Sequence, residues 1–123
     1  MDTKKIIILG ASPIPSRFSF IAATALDDRK YDIVPVGLKQ GAVRGKNILD
    51  IRTRPMINNV DTITLYMNPR NQRAYYDYIL SLNPRRIIFN PGTENVQLFE
   101  MAASRQIEVV NDCTLVMLRS GSF

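Results

Sequence analysis

Ile6-Ile7-Ile8-Leu9 is an unbroken apolar run that ends at Gly10 and gives way to a proline-marked loop, Ala11-Ser12-Pro13-Ile14-Pro15. A strand without polar alternation is buried on both faces, the position of an inner strand in a parallel sheet. Gly10 permits a sharp turn at the strand end, and an amphipathic helix starts near Ser16. Strand, small-residue turn and helix N-terminus, in that order, gather free amide N–H groups and the positive end of the helix dipole at one point. Such a point suits an anion, and the diphosphate of a nucleotide cofactor is the ligand we expect there. Of the fingerprint Gly-x-Gly-x-x-Gly only the first glycine is present, with Ser12 and Pro15 at the later positions. Spacing alone therefore leaves a plain strand-to-helix turn equally open. Arg17 favours the anion, because a cation in the first helical turn opposes the dipole and a bound anion relieves that conflict.

The remainder of the chain alternates strands and helices. Phe18, Ile21, Ala22, Ala25 and Leu26 recur at the spacing of a helix face packed on a sheet, and Asp27-Asp28-Arg29-Lys30 closes that helix. Asp32 to Val36 reads as a second strand, with Pro35 marking an edge or an irregular end. These pieces form a right-handed βαβ unit. Gly45 to Leu49 reads as a short edge strand, followed by a connection from Asp50 to Val60. Asp61 to Met67, rich in β-branched and aromatic residues, is the next strand. Asn68-Pro69 has the pattern of an N-cap followed by proline at the first helical position. The helix it opens presents Ala74, Tyr75, Tyr78, Ile79 and Leu82, and the crowding of Tyr75, Tyr76 and Tyr78 puts at least one tyrosine on the surface. Arg85 to Phe89 is a further strand, and the turn Asn90 to Asn95 feeds a helix buried through Leu98, Phe99, Ala102 and Ala103. Gln106 to Val110 is the last strand and Thr114 to Leu118 begins a short closing helix. The expected fold is α/β: a Rossmann-like, doubly wound parallel sheet of five to six strands in three α/β/α layers, all 123 residues in a single domain.

Composition removes several function classes. No stretch is long and apolar enough to span a membrane, and Met1-Asp2-Thr3-Lys4-Lys5 runs straight into the first strand without a signal-peptide layout. The single cysteine, Cys113, forms no internal disulfide and agrees with a reducing compartment, so a cytoplasmic location is expected. Sixteen Lys and Arg against eleven Asp and Glu give a net charge of +5, but the cations are scattered and no nucleic-acid module is present. A polyphosphate small molecule is the more economical partner than nucleic acid or a membrane. There is no histidine, which removes the commonest general base, the usual zinc ligand and any phosphohistidine intermediate. No metal site is expected.

The loop after the second strand narrows the nucleotide. In NAD-binding folds an acidic residue near this strand end grips the ribose hydroxyls. Here the strand runs into Gly37-Leu38-Lys39-Gln40-Gly41, with Arg44 and Lys46 behind it and no carboxylate before Asp50. A carboxylate repels a phosphorylated ribose and Lys39 attracts one. The pattern argues against NAD and for a ligand with an extra ribose phosphate, either NADP or coenzyme A (CoA); a basic solvent-facing loop is the alternative. In the doubly wound order the strand 61–67 lies against the first strand, where ligands bind at the carboxyl ends. Tyr66, Met67, Asn68 and Pro69 then face the Gly10 turn.

Gly10-Ala11-Ser12-Pro13-x-Pro15-Ser16-Arg17-x-Ser19 after a strand resembles the opening of the small bacterial CoA-binding domain proteins, stand-alone relatives of the CoA-binding domain in the succinyl-CoA synthetase α subunit. The likeness continues in Ile33-Val34-Pro35-Val36 with Lys39, in Val60 to Tyr66 and in Val109-Val110-x-Asp112-Cys113, so it covers nearly the whole chain. Family members usually carry Asn-Pro where this chain has Gly37-Leu38. The resemblance implies a pocket for CoA or acyl-CoA. Gly10, Ala11 and Ser12 would give donors to the diphosphate, with Pro15, Arg17 and Phe18 beside it and Lys39 on the ribose phosphate. Tyr66, Met67, Asn68 and Pro69 would form one wall, and Asn90 and Gly92 would contribute a third loop. Cys113 falls near the rim, where the CoA thiol would pass, and reads equally as a small buried hydrophobe. Glu94 suits the start of a helix electrostatically and has no evident catalytic partner. The expected role is binding without catalysis, as a carrier or sensor, with a protein partner or a second copy compatible with it. The alternative is an NADP-dependent reductase, or another nucleotide-using enzyme, completed by a partner chain or a homodimer.

Overall fold

The computed structural model describes residues 3–123. Met1 and Asp2, part of the stretch expected to run straight into the first strand, lie outside the described residues. Strands β1 (Lys5–Leu9), β2 (Asp32–Gly37), β5 (Leu49–Asp50), β6 (Val60–Leu65), β7 (Arg86–Phe89) and β8 (Glu108–Asn111) form one six-stranded sheet in the order β5-β2-β1-β6-β7-β8. Every pairing in it is parallel. The chain therefore moves outward from β1 on one side, returns past it, and continues on the other with β6. The apolar run Ile6 to Leu9 is fully buried, as an inner strand requires.

Its alternating side chains divide the core. Ile6 and Ile8 join Ile33 beneath Ala23 and Leu26 of α1 (Phe18–Asp28), with Leu118 of α5 (Thr114–Ser120) alongside. Ile7 and Leu9 pack with Ile63, Leu65 and Phe89 on the opposite face. That face is covered by Ile79 of α3 (Tyr76–Ser81) and by Leu98 and Ala102 of α4 (Val96–Ala103). Each fully buried Ile, Leu or Phe side chain among them contributes about 1.5–3 kcal/mol. The result is three α/β/α layers. No described helix is long and apolar enough to cross a membrane.

Four elements differ from the sequence reading. Arg44 (φ 51°) and Gly45 (φ 76°) are consecutive left-handed residues, which makes a tight hairpin turn. Gly45 to Asn47 therefore leaves the sheet: β3 (Ala42–Val43) and β4 (Lys46–Asn47) pair antiparallel, and only Leu49–Asp50 serves as the edge strand. The helix expected from Pro69 onward is interrupted. Between α2 (Pro69–Gln72) and α3, Arg73–Tyr75 form a 3-10 turn and Tyr75 departs to φ −121° and ψ 12°. The break exposes Ala74, buries Tyr78 and leaves Tyr75 and Tyr76 half-buried, so none of the three tyrosines is fully exposed. Ser19, Ala22, Ala23 and Leu26 form the buried face of α1, while Phe18 is 72% and Ile21 39% exposed. In α4, Ala103 is exposed. Pro35 behaves as expected. Val36 directs its carbonyl toward the β1 end, so the backbone of Pro35 faces the other side, where β5 pairing starts only at Val36.

Candidate functional site

The strand order reverses between β1 and β6, and the carboxyl ends of β1, β2, β6 and β7 surround a crevice of about 470 Å³. Close backbone approach shapes it. Gly10 has φ +97°, and a Cβ there would lie 2.8 Å from the Tyr66 carbonyl carbon and 2.9 Å from the Met67 nitrogen. A Cβ on Gly37 would stand 2.7 Å from the Ala11 carbonyl oxygen. These two glycines bring three strand ends against one another.

The amides at this turn are differently used from the sequence expectation. Gly10 N–H and Ala11 N–H both donate to the Val36 carbonyl, at 2.8 and 3.0 Å. They close the sheet and do not face a ligand. The open donors belong to α1. Its first intrahelical bond runs from Ile21 N–H to the Arg17 carbonyl, so the amides of Phe18, Ser19 and Phe20 precede the ladder. No side chain caps this end, where Arg17 holds the N-cap in extended conformation. Ser12 is buried; its hydroxyl oxygen accepts from Ile14 N–H at 3.1 Å and keeps its own hydrogen to donate.

Charge in the crevice has one sign. Arg17 and Lys39 line it, and no carboxylate does. Neither cation is ion-paired among the described residues. Arg44 and Lys46 are spent elsewhere: Arg44 bridges Asp27 and Asp28 at 3.4 and 2.9 Å, and Lys46 bridges Asp32 at 3.0 Å. They tie the β3–β4 hairpin to the far end of α1 and the start of β2.

The opposite side of the crevice is uncharged. Tyr66, Met67, Asn68 and Asn71 follow β6, and Pro91, Gly92 and Thr93 follow β7. Asn68 caps α2, accepting from Asn71 N–H at 2.9 Å, with Pro69 in the first turn. Burial pushes the Tyr66 phenol up to about 12, partly offset by the neighbouring Thr64 and Thr114 hydroxyls, so it stays protonated across physiological pH. Glu94 accepts from Gly92 N–H at 2.8 Å and holds that turn without lining the crevice.

Beneath the floor lies a closed polar network. Asn90 donates to Thr64 Oγ1 at 2.8 Å and to the Leu65 carbonyl at 3.0 Å, and accepts from Thr114 N–H at 2.8 Å. Its side chain is thereby committed, and Asn90 lies under the crevice rather than in its lining. Pro15 and Pro69 are exposed and also fall outside the lining, and half-buried Cys113 does not reach it. The other expected site residues are brought together there: Gly10, Ala11, Ser12, Arg17, Phe18, Lys39, Tyr66, Met67, Asn68 and Gly92. Sequence reasoning missed Ser19, Gly37, Leu38, Asn71, Pro91 and Thr93. All six are within three residues of an expected one, so taking whole loops instead of single side chains would have found them. No cluster of three or more His, Cys, Asp or Glu among the described residues is placed to hold a metal ion.

Comparison with solved structures gives the same architecture. One crystal structure of an uncharacterised protein is 50% identical with a TM-score of 0.95, covering 100% of both chains. A protein from Thermus thermophilus is 21% identical with a TM-score of 0.86, over 98% of this chain and 91% of its own. A hypothetical protein from Pyrococcus horikoshii is 24% identical with a TM-score of 0.81, over 96% of this chain and 83% of its own. The last two establish the fold alone. No protein with a curated description matches the chain. Residues 4–119 match the family described as CoA binding domain, nearly the full length, and the chain belongs to that family.

Proposed function

We propose that this chain binds CoA or an acyl-CoA in the crevice at the β1–β6 reversal, as a carrier or sensor that performs no chemistry on it. One observation carries the reading: among the described residues, an uncapped helix N-terminus and two cations without an ion-pair partner share a crevice that no carboxylate lines. The diphosphate sits over the amides of Phe18 to Phe20 with Arg17 beside it, because helix N-termini concentrate donors and positive potential. Lys39, on the β2 side, meets the phosphate on the ribose. The uncharged wall of Tyr66, Met67, Asn68 and Asn71 with Pro91 to Thr93 takes the pantetheine arm, whose amides and methylenes carry no charge. Gly10 and Ala11 supply close approach, and Ser12 a hydroxyl. Among the described residues, the lining holds no Cys, His, Asp or Glu to serve as nucleophile or as general acid or base.

Isothermal titration with CoA, 3′-dephospho-CoA, NADP and NAD tests the ligand class. CoA is expected to bind most tightly, and loss of the 3′-phosphate to weaken it roughly tenfold, since each tenfold is about 1.4 kcal/mol and a charge-assisted contact supplies that much. Binding of NAD as tight as that of CoA would contradict the reading, and tighter binding of NADP would favour the reductase alternative. Incubation with acyl-CoA or NADPH over hours, followed by chromatography, is expected to return the ligand unchanged.

A further inference from the structure

Gln72, the last residue of α2, is a fully buried polar side chain. Its amide nitrogen donates to the Met67 carbonyl at 2.8 Å and to the Thr93 carbonyl at 2.9 Å. Its oxygen accepts from Asn95 Nδ2 at 2.8 Å, and the same Asn95 nitrogen donates to the Tyr76 hydroxyl at 2.8 Å. Asn95 Oδ1 in turn caps α4 through Leu98 N–H at 3.2 Å. Met67 follows β6 and Thr93 follows β7, and both line the crevice. The two loops that make its uncharged wall have no backbone ladder between them beyond the Leu65–Phe89 pair. Beyond the Asn90 bond to the Leu65 carbonyl, the Gln72 side chain spans that gap.

We infer that Gln72 is a positioning residue: a clamp that fixes the spacing of the β6 and β7 loops and so pre-forms the wall against which the uncharged arm of the ligand lies. The inference rests on the CoA reading for its ligand and on the hydrogen bonds alone for its mechanics. Two carbonyls buried beside one donor group leave no cheap substitute, because each would otherwise be left unpaired away from water. A wall held in the bound spacing before the ligand arrives lowers the ordering cost of binding. The clamp lies on the wall away from Lys39, so it acts on the arm and not on the ribose phosphate.

Gln72→Leu removes the donor at nearly constant volume, and Gln72→Met removes it with an unbranched, flexible side chain of similar shape; the second variant serves if the first fails to fold. Tyr78→Phe is the control, since it removes a bond to the Pro55 carbonyl at 2.7 Å away from the crevice. Hydrogen exchange is expected to quicken at least tenfold in segments 67–72 and 91–95 of the Gln72 variants, with segment 5–9 unchanged. CoA and 3′-dephospho-CoA are expected to weaken together by about tenfold or more, their ratio unchanged, whereas Tyr78→Phe leaves both affinities alone. A folded Gln72 variant with unchanged exchange in those segments, or with CoA affinity within twofold of the parent, overturns the clamp. Failure of the parent protein to bind CoA overturns the ligand reading instead, and the exchange measurement then decides the clamp on its own.

Discussion

At the scale of single residues the site depends on two kinds of position, those that need no side chain and those that need a charge. Gly10 is of the first kind. With φ +97° and the Tyr66 backbone 2.8 Å from where a Cβ would be, Gly10→Ala should destabilise the fold by about 1–3 kcal/mol from backbone strain, with the clash adding to it. Denaturant titration checks this, and an unchanged midpoint would show that β1 and β6 can part without cost. Lys39 is of the second kind. Being exposed and without an ion-pair partner among the described residues, it contributes little to stability, so Lys39→Glu should leave the melting temperature nearly unchanged. The same change should weaken CoA at least tenfold and 3′-dephospho-CoA much less, and equal losses would remove Lys39 from the ribose phosphate. Both residues were legible in the sequence because an apolar strand ending in glycine, and a loop lacking carboxylates, are local patterns. What was not legible is the destination of the Gly10 and Ala11 amides. It depends on the Val36 carbonyl, more than twenty residues away in the chain, and no local pattern encodes that pairing.

At the scale of elements, the strands with continuous apolar runs were readable and the irregular pieces were not. The β3–β4 hairpin turns on Arg44 in a left-handed conformation, which a non-glycine residue adopts too rarely for a sequence pattern to signal. Its ion pairs to Asp27, Asp28 and Asp32 explain why Arg44 and Lys46, suggestive beside Lys39 in the chain, are withdrawn from the site. The α2–α3 break begins right after Gln72, whose side chain runs inward to the Met67 and Thr93 carbonyls, the second of them 21 residues away and so outside any local pattern. At the amino ends of the strands, away from the crevice, Asp61 is salt-bridged to Arg85 at 3.0 Å. Burial alone would raise the Asp61 carboxyl, but hydrogen bonds from Arg85 and Thr62 outweigh it and hold the group below its ordinary 3.8. A depressed folded value means the stabilisation is complete above the unfolded value and is lost as pH falls through the folded one. Thermal stability should therefore fall progressively below about pH 4, and Asp61→Asn should flatten that acid limb. An unchanged acid limb in the variant would show that the pair carries no linkage.

At the scale of the whole molecule, the doubly wound order places every loop of the site at one end of the sheet, and this much followed from the alternation of strands and helices alone. A ligand that bridges those loops stabilises all of them at once. CoA at a hundred times its dissociation constant should add about 2.7 kcal/mol to the unfolding free energy, a shift on the order of 10 °C by differential scanning fluorimetry. No shift with CoA at millimolar concentration would leave the fold intact and the ligand assignment without support. The most direct test is a crystal structure of the protein grown with CoA. The diphosphate is predicted over the amides of Phe18 to Phe20, with the 3′-phosphate in ion-pair contact with Lys39 and the pantetheine arm along Tyr66 to Asn71. A ligand bound elsewhere, or one lying in the crevice with its 3′-phosphate turned away from Lys39, would contradict the account.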